Sequence, residues 1–295
     1  MSAVLTAGGA TVPTATSARR RRRRSLPAVV AEHTGLAVLA VLFMAPVVFV
    51  VLTAFMPSSQ ALTGSLWPHP WTWENFATAF TRAPLARWFA NSALYAVLAT
   101  GFMLVSSIPG AYALARIRFR GATLVFAAIV VMMLLPPQIT SVPTYIVWAK
   151  LGLTGTLWPV ILPNLLGDAF SIFLLRQFFL TIPRDYSDAA RLDGNGEWGV
   201  LLRVIAPMAR PGIAAAGLFM FFNSWNDYYG PLLYASENPS WWPVAYGLAT
   251  FRGMHGTDWS LTMAITLLVM VPVVVLFFFA QRVFVEGIAL TGIKG

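Results

Sequence analysis

The chain has 295 residues, of which 58% are hydrophobic and only 11% charged, and its mean hydropathy is +0.70. A soluble domain carries roughly 25% charged residues, so polar surface could not cover a core of this size and lipid must contact much of the chain. Cysteine is absent, which excludes disulfides, thiol catalysis and Cys-based metal sites. The three histidines, His33, His69 and His255, are too scattered to suggest a metal centre.

The net charge of +9 is concentrated at the start, where Arg19 to Arg24 form an unbroken run. Such a block reads as a solvated tail that keeps the following span's amino terminus inside. A nucleic-acid patch would be out of place directly before a membrane helix. Residues 1–34 are therefore expected to be a disordered, Arg-rich cytosolic tail, and residues 35–295 a transmembrane domain.

A membrane helix needs about 20 mostly apolar residues. Residues 36–56 carry no charge, exceed a signal-peptide core in length and lack a convincing cleavage site, so they read as a retained helix. A second span runs from 91 to 115. The third starts near 122 and reaches Pro136-Pro137. The uncharged stretch continues past Pro143 to 149, and an irregular outer segment is expected there. The fourth span covers 157–175, the fifth 212–233 and the sixth 259–281.

Orientation tests this count, because short cytoplasmic loops hold the excess of Lys and Arg. With the amino terminus inside and six crossings, sixteen of the 20 basic residues fall inside. Only Arg82, Arg87, Lys150 and Arg252 fall outside. Tryptophans 67, 71, 73 and 88 gather at the first outer loop, and Trp241 and Trp242 at the last, consistent with an interfacial belt.

The loop at about 181–210 is too patterned for a linker. Pro183 suits a helix start, Asp185 and Asp188 suit its positive end, and Gly194 and Gly196 stop it. A second short helix, 197–205, places Val200, Leu201, Val204 and Ile205 on one side, and Pro207 closes it. Two short helices joined by a glycine turn form either a docking element or a loop lying on the membrane surface. Gly194 to Gly199 matches GxGxxG letter for letter, yet no strand precedes it, so a dinucleotide site is declined. No GxxxxGK[ST] occurs, and the chain has no phosphate loop of its own.

Asp188-Ala189-Ala190, three residues, Gly194, nine residues and Val204-Ile205-Ala206-Pro207 resemble the EAA loop of binding-protein-dependent ABC import permeases. Asp188, Val204 and Ala206 depart from its usual Glu, Ile and Leu. Residues 132–143, 171–179, 222–232 and 281–295 are similar to the maltose-type carbohydrate-uptake permeases, specifically the smaller, six-helix member of the pair. The resemblance implies an all-α type I importer permease fold with six transmembrane helices and both termini cytosolic in a bacterial inner membrane. It further implies a homologous second permease, a cytosolic ATPase dimer, an extracytoplasmic solute-binding protein and a sugar or sugar-like solute. ATP and magnesium would belong to the ATPase, while this chain would hold no cofactor or metal, perform no catalysis and bind no nucleic acid. Asp188, Ala189, Ala190, Gly194, Val204 and Pro207 would couple it to the ATPase, Gly194 by turning the chain and the two alanines by close approach. Trp241 and Trp242 would be candidate contacts for the binding protein.

Two acids fall inside predicted spans, and such residues face the bundle interior or water. Asp168 is expected near the middle of the fourth span, one turn from Asn164 on the same face. Asp227 is expected in the outer half of the fifth, sharing a face with Asn223 at i, i+4 and flanked by Trp225 and Asn226. Both groups either line the translocation path or fix packing by helix–helix hydrogen bonds. The rival classes are a secondary transporter, which would show internal repeats and coupling carboxylates, and a polytopic enzyme, which would cluster titratable groups near one face.

Overall fold

The computed structural model describes residues 26–292 apart from 62 and 255–257. The Arg19–Arg24 run, His255 and the chain beyond 292 lie outside these residues. Among the described residues there is no strand. The chain divides into two compact units, Met1–Val48 and Phe49–Gly295.

Helix α1 (Leu26–Ala54) begins earlier than expected, since residues 26–34 are helical where a disordered tail was predicted. The segment contains no breaker after Pro27, and a proline in the first turn lacks only an N–H that would be orphaned anyway. Unit one holds this helix as far as Val48.

The second unit is built around α3 (Leu85–Arg116), whose inward stripe of Leu85, Trp88, Ser92, Tyr95, Ala99 and Met103 recurs at three- and four-residue spacing. Small residues along that stripe let neighbouring backbones approach. α3 packs chiefly on α7 (Ala169–Thr181) and α11 (Arg210–Asn226), and α11 in turn on α14 (Trp259–Gly292). A side chain at Gly212 of α11 would come within 2.6 Å of the Phe178 ring on α7, so that crossing requires glycine. α2 (Glu74–Arg82) packs on α14.

α4 (Ala122–Leu134) and α5 (Pro137–Lys150) meet at a bend of 97°. Residues preceding proline avoid the helical region, and both Leu135 and Pro136 are extended. The segment after the bend is helical, not irregular as predicted. Pro137 occupies the first turn, and the Thr140, Ser141 and Thr144 hydroxyls bond carbonyls within the helix, through and beyond Pro143. α4 packs on α7 through stacked Phe126 and Phe173 and through the Arg176 guanidinium, 3.9 Å from the Phe126 ring centre. α7 thus continues past the predicted end of the fourth span, carrying Arg176 within the helix.

The predicted fourth span is broken. α6 (Trp158–Ile161) passes into a 3-10 turn (Leu162–Leu166), Gly167 takes φ +98°, and α7 starts afresh. The fifth is broken too: α11 ends at Asn226, Asp227 is extended, and a short α12 (Tyr229–Tyr234) follows. A 3-10 turn (Pro239–Trp241) and α13 (Val244–Met254) lead to α14. Among the described residues four helical stretches are long and apolar enough to cross a membrane: Val30–Ala54, Leu85–Arg116, Trp158–Thr181 and Trp259–Phe279. Two bent pairs, α4 with α5 and Glu197–Met208 with Arg210–Asn226, bring the total to six when each is counted once.

Candidate functional site

Between α7 and α11 the chain forms α8 (Arg184–Leu192), α9 (Glu197–Val200), a π-helical turn (Leu201–Ile205) and α10 (Ala206–Met208). Pro183 is extended and starts α8, with Asp185 in its first turn. At its end Gly194 adopts φ +84°, a region only glycine enters without strain. Its N–H donates to Arg191 O (3.0 Å) and the Asn195 N–H to Ala190 O (3.0 Å), the two-bond Schellman closure. Nothing stands within 4 Å of where a Gly194 side chain would project. Backbone angle, not crowding, demands glycine there.

The two faces of this element differ. Ala190, Val200, Leu201 and Ile205 are buried against α3, α7 and α11 in one apolar cluster, and Val204 packs on it. Ala189 is exposed, together with Tyr186, Leu202, Leu192 (89%) and Trp198 (66%). The alanine pair is therefore split: Ala190 seats α8 on its own domain, and Ala189 alone is open to a partner. Pro207 does not close the second helix as predicted. The Ala206 N–H reaches five residues back to Leu201 O, and helix continues to Met208 before breaking at Ala209. The wider turn carries the chain past a proline that could not donate.

Side chains that spacing alone did not single out tie this element down. Arg191 donates to Asp188 Oδ1 (2.8 Å) and to Glu197 Oε1 (2.8 Å), and the Tyr112 hydroxyl of α3 donates to Glu197 Oε2 (2.6 Å). The hydrogen bond from Arg191, then that from Tyr112, holds the Glu197 carboxyl below its ordinary range, and Glu197 raises the Arg191 guanidinium. Buried Arg116, the last residue of α3, donates through Nη2 to Phe179 O (2.6 Å) and Ile182 O (2.5 Å), satisfying carbonyls at the end of α7. The i, i+3 spacing of Asp188 and Arg191 was a readable signal for one of these bonds. Arg191 and Glu197 face each other across the glycine turn, and the remaining bonds join residues distant in sequence.

The polar residues of the membrane segments fall into different roles. Asp168 is not mid-helix: it caps α7, accepting from Ser171 N (2.7 Å), while its own N–H donates to Ser107 Oγ (3.1 Å). Asn164 donates to Val160 O and Ile161 O and is not on a shared helical face with Asp168. Asp227, beyond the end of α11 and not at i, i+4 within a helix, accepts from Tyr95 OH (2.9 Å) and Gly230 N (3.1 Å). Trp225 is buried and stacked on Phe221, and exposed Asn226 donates to Phe222 O. Asp168 and Asn223 line one cavity of about 240 Å³ with Phe170, Ser171, Phe219 and Met220. Of the paired tryptophans, Trp242 is buried, donates to Ala235 O and Ser236 O (both 3.2 Å), and sets its ring edge-on to Tyr246. Only half-buried Trp241 keeps exposed surface.

The family model described as "Binding-protein-dependent transport system inner membrane component" matches residues 107–289. The chain is 31% identical over 266 residues to the arabinooligosaccharides transport system permease protein AraQ of Halalkalibacterium halodurans, covering 88% of this chain and 95% of that protein. It is 29% identical to the diacetylchitobiose uptake system permease protein NgcG of Streptomyces coelicolor, over 85% and 84% of the two chains. In fold it is similar to a chain of a bacterial ABC transporter involved in the import of the acidic polysaccharide alginate. The TM-score is 0.75 at 21% identity, over 86% of this chain and 95% of that one.

Proposed function

We propose, from the premise that this chain belongs to the binding-protein-dependent transport system inner membrane component family, that it is the transmembrane permease subunit of an ATP-driven importer of a sugar, most specifically a short oligosaccharide. Relatives named for arabino-oligosaccharide and diacetylchitobiose uptake support that solute class. The observation that carries the coupling role is the two-faced element α8–α10. One side is packed on its own domain and hydrogen-bonded to Tyr112 of α3, and the other presents Ala189, Leu192 and Trp198 to solvent.

In this reading a cytosolic ATPase dimer, holding ATP and magnesium that this chain does not bind, seats the exposed side of α8. Closure of the dimer moves α8. The Tyr112 bond passes that motion to α3 and the Arg116 bonds pass it on to α7, which with α11 forms the Asp168–Asn223 cavity. A homologous second permease completes the path, and an extracytoplasmic binding protein delivers solute to the opposite end, with Trp241 among its contacts. In this reading the amino terminus lies inside, which the arginine distribution supports.

Purification of the membrane-extracted chain with its associated subunits, followed by ATPase assay, tests this. A second permease and an ATPase stimulated by loaded binding protein are expected. A lone chain that moves solute in liposomes without ATP would overturn the proposal in favour of a secondary transporter.

A further inference from the structure

Between the end of α3 and helix α8 lies a cavity of about 360 Å³ that the transport reading does not use. Four arginines line it: Arg116, Arg118, Arg184 and Arg191. The two carboxylates in its wall, Asp188 and Glu197, are both bonded to Arg191. Among the described residues neither Arg118 nor Arg184 forms an ion pair. The wall therefore carries an excess of positive charge.

Two deeply buried polar atoms of the same lining lack any hydrogen-bond partner: Arg116 Nε and Ser187 Oγ, in residues 8% and 1% exposed. Buried donors are almost always satisfied, and an orphan calls for an explanation. Guanidinium groups only donate, and a serine hydroxyl donates as readily as it accepts. Unspent donors in a cationic wall suit an oxyanion and disfavour a cation or an apolar guest. Because Arg116 ends a membrane-spanning helix, the cavity sits near the water boundary of the bilayer. Basic pockets at that depth on the cytoplasmic side recognise anionic lipid headgroups.

We propose that this cavity binds a phosphate group, carried by an anionic phospholipid headgroup or free in solution. Arg118, Arg184 and Arg116 Nε supply charge-assisted donors and Ser187 Oγ a neutral one. The proposal rests on this chain's own geometry, and one wall of the cavity is α8, the helix that the proposed transport cycle moves.

The test is native mass spectrometry of the full chain in detergent. It is titrated separately with short-chain phosphatidylglycerol, the matching diacylglycerol without phosphate, and inorganic phosphate. Saturable binding of at least one phosphate-bearing probe is expected, with none for diacylglycerol. Losing two charge-assisted bonds in the double variant Arg118→Gln/Arg184→Gln should weaken it about tenfold or more. Both arginines are exposed, so the change leaves packing intact. Ser187→Ala gives a smaller loss in the same direction. Binding of phosphatidylglycerol alone identifies the headgroup as the source, and equal binding of inorganic phosphate identifies the free ion. If neither probe saturates, or if both variants bind as the unaltered chain does, the proposal fails, and an acidic side chain of another protein becomes the alternative for these arginines.

Discussion

The breaks at Gly194 and at Gly167 use the same device to opposite ends. Each places a glycine at positive φ, +84° and +98°, between two helical segments. At Gly194 two main-chain bonds and one from the Asn195 side chain to Ala190 O close the turn, and open space lies beside the glycine, so the residues of the outer face remain exposed. At Gly167 a side chain would lie 3.0 Å from Ile172, and the next residue, Asp168, is committed to capping α7. The first break presents surface, whereas the second consumes it. A polar residue in a membrane segment is thus a weaker sign of function than an exposed apolar one on a charged loop.

The largest effect expected from this contrast is at Gly194→Pro. Proline can neither reach φ +84° nor donate to Arg191 O, so uptake should vanish while membrane insertion, followed by immunoblot, persists. Normal uptake would remove the coupling role from the turn. Next comes the split pair. Ala190→Glu buries an unpaired carboxylate and should deplete the folded subunit, whereas Ala189→Glu should leave its abundance unchanged and cut uptake. If the two behave alike, the faces have been assigned wrongly.

Gly167→Ala should cost about 1–3 kcal/mol of stability from backbone strain, read as a lower melting temperature with uptake per folded molecule preserved. Asp168→Ala should cost about 1 kcal/mol through the lost cap, and Asp168→Asn, which still caps, much less. If Asp168→Asn keeps the fold yet loses uptake, the charge serves the path as well as the helix end. The smallest effect concerns pH. Because the Glu197 carboxyl titrates below its ordinary value, its ion pair contributes stability above the usual carboxylate range and loses it as pH falls through the depressed value. This exposed pair contributes under about 1 kcal/mol, so the acid-side slope of melting temperature should flatten slightly in Glu197→Gln. An unchanged slope would mean the pair adds nothing.

Hydropathy and the arginine distribution made the spans legible, because both are averages over many residues. The same averaging hid the breaks. A window across 157–175 is equally apolar whether or not Gly167 interrupts it, and the averaging passed over Gly167-Asp168 before an apolar run, which is a local helix-start signal. Trp242 read as a surface residue because indoles favour interfaces, while the carbonyls of Ala235 and Ser236 that bury it are supplied by a fold back of the chain. The Gly194 turn was legible because its requirement is local: one glycine, one angle, a fixed distance from the alanines. Arg116 read as a topological marker, since the carbonyls it bonds lie more than sixty residues away.

The self-sufficiency of the Gly194 turn has an evolutionary corollary. Since its closure draws on main-chain atoms and the Asn195 amide, the outward residues at 186, 189, 192 and 198 can be exchanged without disturbing the mount that holds them. Under the proposed coupling role, a permease built this way can drift toward a new motor by altering a handful of surface side chains while its membrane domain stays the same.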